Sequence, residues 1–153
     1  ANFCTHFGFD IEGFKAALAD DERLRGGSTI SQQVAKNVFL WQGRTWVRKG
    51  LEAWFTLLIE LVWPKKRIIE VYLNIAETDE GVFGVAAAGR HYFGVEPENL
   101  SLLQAARIAA VLPSPKKRSA SQPTAFVKKR TRQIMAGART IAADGRAHCF
   151  NSG

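Results

Sequence analysis

The sequence predicts a mainly α fold in one domain. Apolar residues recur at helical spacing, Thr29 and Ser101 each open an apolar run with Gln three residues on, and prolines stand where runs stop, at Pro64, Pro113 and Pro115. Neither period-two alternation nor hairpin turn signals appear in force. At 153 residues the chain can bury a sizeable core, and nothing between the periodic segments reads as linker or repeat, so residues 1–153 are expected to form a single domain.

The first helix is expected from near Ser28, with Thr29 and Gln32 as a capping box behind Gly26 and Gly27. Along it Thr29, Gln33 and Lys36 fall at i, i+4 and i+7, while Ile30, Val34 and Val38 line nearly the opposite side. One face is then free to bind. A helix N-terminus behind glycines is a natural anion site, and Gln33-x-x-Lys36-Asn37 is more polar than a solvated face requires.

The second helix is expected from Trp46 to Trp63, with Val47, Leu51, Trp54, Leu58, Leu61 and Val62 as its core stripe. Arg48 and Glu52, four apart, share a face. An exposed pair of this kind contributes only a few tenths of a kcal/mol, whereas in a groove it sets a carboxylate beside a phosphate-binding guanidinium; spacing leaves both readings open. Pro64 ends this helix and opens a third carrying Ile68, Ile69, Tyr72, Leu73 and Ile75. Lys65, Lys66 and Arg67 crowd the positive end of its dipole, which points either to solvent screening or to an anionic partner.

Gly81 and Gly84 mark a turn before a small-residue helix from Val85 to Phe93. Ser101 and Gln104 cap a core helix from Leu102 to Leu112. The last helix, about Thr124 to Ala143, carries Lys128, Lys129, Arg130 and Arg132 beside Phe126, Ile134 and Met135; a solvated face is the commoner reading of such a run and contact with nucleic acid or lipid headgroups the alternative, and the rest of the chain favours proximity to a membrane surface. The charged segment Ala19–Arg25 reads as a loop, either ordinary or a lip over a binding site.

The net charge of +7 calls for an anionic partner: nucleic acid, an anionic membrane or a pyrophosphate substrate. No apolar run is long enough to span a bilayer, since Leu51–Trp63 is interrupted by Glu52 and Glu60. Cys4 and Cys149 sit near opposite ends with no metal-like spacing; two unpaired thiols are expected, with a disulfide left open. His6, His91 and His148 are scattered and suggest no zinc site. No glycine-rich nucleotide loop is present, so no nucleotide cofactor is expected.

Taken together, Gly-x-Ser-Thr-Ile-Ser-Gln-Gln-x-x-Lys-Asn over 26–37, Arg-Lys-x-x-Glu over 48–52, Lys66 to Asn74, Gly81-Val-Phe-Gly84 and Ala87-Ala88 to Tyr92-Phe93 resemble the peptidoglycan glycosyltransferases. The resemblance runs from Ala1 to about Pro123 and implies a lysozyme-like helical domain with an elongated substrate cleft. It also implies polymerisation of lipid II onto a lipid-linked glycan, with inversion and release of undecaprenyl pyrophosphate. Phe3-x-x-His6-x-Gly8-x-Asp10 resembles the tail of the family's first motif, whose Glu-Asp pair, with the Glu as general base, would stand just ahead of Ala1. The chain by itself is therefore expected to be inactive, with a membrane anchor upstream and a place on the periplasmic face of the inner membrane.

By the same resemblance, Lys36 and Arg48 neutralise the donor pyrophosphate. Glu52, as second carboxylate, orients them or holds a divalent cation, Mg or Mn. Ser28, Thr29, Gln33 and Asn37 hydrogen-bond the donor, and Phe3 and His6 complete the substrate-binding set. Expected partners are lipid II, the growing lipid-linked chain, a membrane surface and a cell-wall synthesis complex. The alternatives are a non-catalytic relative that binds lipid-linked glycan and, less in keeping with Gln33, Lys36, Arg48 and Glu52 together, a basic nucleic-acid-binding module.

Overall fold

A computed structural model of the chain describes residues 3–5, 7–9, 28–41, 43 and 45–151. Among these the chain is mainly helical, as its sequence predicts: α1 (Ile30–Phe39), α2 (Trp46–Val62), α3 (Lys65–Ile75), a hairpin of β1 (Glu77–Asp79) and β2 (Val82–Phe83), then α4 (Gly84–Phe93), α5 (Leu102–Val111), α6 (Ala125–Ala143) and the short α7 (His148–Asn151). The contacts divide into two compact units, Ala1–Tyr72 with His148–Gly153, and Leu73–Ala147.

In the first unit α1 packs along α2. The Thr29 capping box forms as expected: Thr29 N donates to Gln32 Oε1 at 2.8 Å, and Gln32 N to Thr29 Oγ1 at 3.2 Å. The buried face of α1 is Ser31, Val34 and Ala35, while Val38, expected on the packed side, is exposed.

The core stripe expected on α2 is largely reversed, with only Leu51 and Leu58 of its six residues half-buried. Val47 (71%), Trp54 (58%), Leu61 (70%) and Val62 (73%) are exposed, and the helix buries Glu52, Thr56 and Ile59 instead. A polar face can be buried because its groups are paired. Thr56 Oγ1 donates to the Glu52 carbonyl at 2.6 Å, and Lys49 and Arg48 face the Glu52 carboxylate. One turn on, the Glu60 carboxylate, its side chain only 2% exposed, accepts from Lys65 Nζ at 2.9 and 2.6 Å and from the Ser31 hydroxyl.

That network also corrects the reading of the cations that open α3. Lys65 is held by Glu60, and Arg67 by Glu70 at 3.0 Å, so two of the three have carboxylate partners within the chain. Gly8 lies against the same cluster. At φ +70° a Cβ there would stand 3.0 Å from Thr56 Cγ2 and 3.2 Å from Glu60 Cγ, a reason for glycine at this point of the first motif.

The two cysteines correct the expectation of unpaired thiols: Cys4 and Cys149 are joined in a disulfide, with Cα atoms 5.6 Å apart across a separation of 145 residues. Phe150 stacks on Phe3 beside it, ring centroids 5.9 Å apart.

The second unit is built on a conventional apolar core of Ala88, Tyr92, Ile108, Ala110, Val111, Ala120 and Val127, with Val85, Phe93, Leu100 and Ile134 against it. The Ser101–Gln104 capping box opens α5 as expected, and Thr124 caps α6. Gly84 begins α4 at φ +81°, and a Cβ there would meet the Asn74 carbonyl oxygen at 2.6 Å. Only glycine fits that turn without displacing backbone. The hairpin is tied to α4 through Asp79, whose Oδ2 lies 3.0 Å from the Tyr92 hydroxyl and 3.2 Å from His91 Nε2. The Glu80 amide, followed by Tyr92 and His91, holds the Asp79 carboxyl below its ordinary range, while burial and Asp79 push the Tyr92 hydroxyl up.

Candidate functional site

The site residues expected from sequence lie on the neighbouring helices α1 and α2 and on the segment ahead of α1. Thr45 caps α2, its hydroxyl accepting from Arg48 N at 3.2 Å. This fixes the first turn, from which Arg48, Lys49 and Glu52 project. Arg48 Nη1 stands 3.6 Å from Glu52 Oε2, so the i,i+4 pair is present. Sequence reasoning missed the closer partner, Lys49, whose Nζ reaches Glu52 Oε1 at 2.6 Å. Its i,i+3 spacing was the available signal.

The electrostatics of this group are lopsided. The Glu52 side chain is 4% exposed and Arg48 only 12%, whereas Lys49 is half exposed. Arg48 Nε is buried with no hydrogen-bond partner among the described residues. A guanidinium donor buried and unsatisfied costs about 1–3 kcal/mol or more, so an anion that supplies an acceptor would bind with that cost relieved.

On α1, Lys36 and Asn37 are exposed and make no side-chain hydrogen bond or ion pair among the described residues. Gln33 is half-buried and donates from Nε2 to the Ser28 carbonyl at 3.3 Å. The Ser28 residue itself is exposed. Thr29 is engaged inside the protein, its hydroxyl donating to the Gly8 carbonyl at 2.6 Å in addition to capping α1. This bond ties the first-motif segment to the start of α1. Phe3 lies against Phe150, with Lys65 Nζ 4.9 Å from its ring centroid. His6, the Gly26–Gly27 pair, Asp10 and the segment Ala19–Arg25 lie outside the described residues.

Among the described residues no three His, Cys, Asp or Glu side chains stand together as a metal site, and the Glu52 carboxylate is engaged by two cations. Among the described residues, no cluster of side-chain donors joins Glu52 to hold a divalent ion. The arrangement on α2 suits an anion, with Arg48 and Lys49 beside a carboxylate that fixes them.

Comparison with known proteins gives the same direction. A family profile described as Transglycosylase matches residues 1–139. The chain is similar to a biosynthetic peptidoglycan transglycosylase of Jannaschia sp. (strain CCS1), 56% identical over 150 residues, covering 98% of this chain and 62% of that protein. It is also similar to proteins of the same name from Pseudomonas entomophila (strain L48), 63% identical over 131 residues with 84% and 56% covered, and from Pseudomonas aeruginosa (strain PAO1), 59% over 136 residues with 87% and 59% covered. The chain thus spans about six-tenths of the length of these relatives. With the profile match and the similarity along the chain in agreement, the chain belongs to the transglycosylase family.

Proposed function

We propose that this chain is the glycosyl-transferring part of an enzyme that polymerises lipid II into peptidoglycan strands. The reading is carried by Arg48, a nearly buried guanidinium fixed beside Glu52 with an unpartnered Nε, close in sequence to the exposed Lys36 and Asn37. In the proposed reaction the 4-hydroxyl oxygen of the acceptor sugar attacks the anomeric carbon of the lipid-linked donor, and the bond from that carbon to the pyrophosphate oxygen breaks with inversion. The hydroxyl proton passes to the general base that the first motif's resemblance implies, the Glu of a Glu-Asp pair ahead of Ala1. Lys36 and Arg48 stabilise the charge on the departing undecaprenyl pyrophosphate, while Glu52, itself engaged by Lys49, keeps Arg48 in place. Mg or Mn enters this proposal only as an ion brought by the substrate phosphates, which would supply most of its oxygen ligands.

The test is lipid II polymerisation by the chain carrying Glu-Asp ahead of Ala1, compared with Lys36→Ala and Arg48→Ala in that background. Each replacement is expected to lower turnover by about 100-fold or more while leaving thermal unfolding in place. Near-normal strand synthesis by either variant would sink the assignment. If binding of lipid II persists in the extended chain without any strand formation, the non-catalytic glycan-binding alternative is the better reading.

The reversed face of α2 supports a membrane surface as partner, on the periplasmic side where lipid II and a cell-wall synthesis complex would meet it. Trp46 (92% exposed), Trp54, Leu61 and Val62 give an exposed apolar helix face that includes two tryptophans, on a chain of net charge +7. Such a face seats at the boundary of headgroups and acyl chains, and positive charge favours anionic lipid. Among the described residues no helix is long and apolar enough to cross a membrane. Cosedimentation with phosphatidylglycerol vesicles is expected to fall at least tenfold in a Trp54→Ser/Leu61→Ser variant; unchanged binding would remove α2 from the contact. The Cys4–Cys149 disulfide agrees with an oxidising compartment outside the cytoplasm.

A further inference from the structure

The second unit carries its own concentration of positive charge, remote in sequence from Lys36 and Arg48. From Asn99 to Ala143 the chain has nine Lys and Arg residues and no Asp or Glu. A solvated face would scatter these charges. Instead three of them, Arg118, Lys129 and Arg130, line one concavity of about 380 Å³, whose remaining walls are Pro113, Phe126 and Gln133.

The local structure explains the convergence. Phe126, Lys129, Arg130 and Gln133 recur at helical spacing along one face of α6, and Arg118 follows the 3-10 turn Pro115–Lys117. The Arg118 guanidinium lies over the Phe126 ring, 4.7 Å from its centroid, and Nη1 approaches the Ala110 carbonyl at 3.5 Å. Stacking leaves the edge of a guanidinium available, and an edge held in place loses less freedom when it forms a bidentate pair with an oxyanion. None of the three cations has a carboxylate partner among the described residues, in contrast to Lys116, which reaches Glu77 at 3.5 Å. Three like charges around one concavity repel one another, and an anion inside it would relieve the repulsion. The exposed Phe126 and Pro113 add apolar wall, and the volume suits a ligand of headgroup size.

We propose that this concavity is a second anion site that binds a phosphate-bearing ligand through Arg118, Lys129 and Arg130, with Phe126 against its organic part. It uses none of the residues of the donor site proposed on α1 and α2. The phosphate can belong to a soluble diphosphate or to the headgroup of an anionic lipid, and the test separates the two.

Nuclear magnetic resonance of the isotope-labelled chain, titrated with inorganic pyrophosphate at about 0.15 M salt, reads each site individually. Saturable shifts are expected at Arg118 Nε–H and at the amides of Lys129 and Arg130. They should weaken at least tenfold in Arg118→Gln and in Lys129→Gln/Arg130→Gln, the latter altering only exposed side chains. Shifts at Lys36 and Arg48 report the donor site and should be unchanged in these variants. A second arm measures cosedimentation with phosphatidylglycerol against phosphatidylcholine vesicles. Loss in the variants with pyrophosphate alone identifies a soluble ligand, loss with phosphatidylglycerol alone a lipid headgroup, and loss with both a site open to either. If neither arm distinguishes the variants from the parent chain, or if the shifts at Arg118, Lys129 and Arg130 do not saturate, the proposal is overturned.

Discussion

Replacing Glu60 with Ala is expected to destabilise the protein by about 3–5 kcal/mol, the range found when one member of a buried ion pair is removed. The Glu60 side chain is 2% exposed and that of Lys65 is 15% exposed, so neither charge is well hydrated. Lys65 Nζ contacts both carboxylate oxygens, at 2.9 and 2.6 Å, and the Ser31 hydroxyl donates to one of them. Removing the carboxylate takes both of these contacts from Lys65 and the acceptor from Ser31, in the unit where α1 packs along α2. Glu60→Gln should cost less, because the amide retains the shape and an acceptor for Ser31. Replacing both partners by apolar residues, as in Glu60→Leu/Lys65→Met, should recover much of the loss, since the expense lies in breaking a buried pair on one side only. Urea unfolding of the three variants checks the series. A Glu60→Ala midpoint within about 1 kcal/mol of the parent, or a double variant no better than the single, would mean that the pair is hydrated or idle.

Why this network escaped the sequence shows which features are legible there. Capping boxes are local chemistry, so Thr29–Gln32 and Ser101–Gln104 could be read directly, and both form. Arg48 and Glu52 were legible for the same reason, because helical spacing alone brings them together. Glu60 and Lys65 are five residues apart across a helix break at Pro64, where no periodic rule applies, and Ser31 comes from another helix. The reversed face of α2 has a related cause. Periodicity states which residues share a face but not which face the rest of the chain covers. On α2 the covered side is the polar one, stabilised by contacts from Lys49, Lys65 and Ser31. The basic run near 128–132 was visible, but its convergence with Arg118 and Phe126 depends on how the 3-10 turn packs beside α6.

The second large effect is expected from the disulfide. Cys4 and Cys149 are 145 residues apart, so their bond closes nearly the whole chain into a loop. In the chain-entropy treatment a loop of that length restricts the unfolded state by about 5 kcal/mol, and observed stabilisations of this kind are more often about 2–4 kcal/mol. Reduction, or Cys4→Ser/Cys149→Ser, should therefore lower the melting temperature by roughly 5–15 °C, at about 2–4 °C per kcal/mol for a domain of this size. The native contacts near the bond are modest: Phe3 stacks on Phe150, and α7 is a single turn. Most of the effect should thus appear as a less restricted unfolded state, with reductant lowering the stability of the parent chain and leaving the serine variant unaffected. Thermal unfolding of both proteins, with and without dithiothreitol, tests the expectation, and thiol titration of the unreduced protein provides the control. Two free thiols in folded protein, or equal melting temperatures in all four conditions, would refute it. If the expected pattern holds, stability becomes a function of compartment: chain folded in a reducing cytoplasm would lack this constraint, and chain folded outside it would gain it.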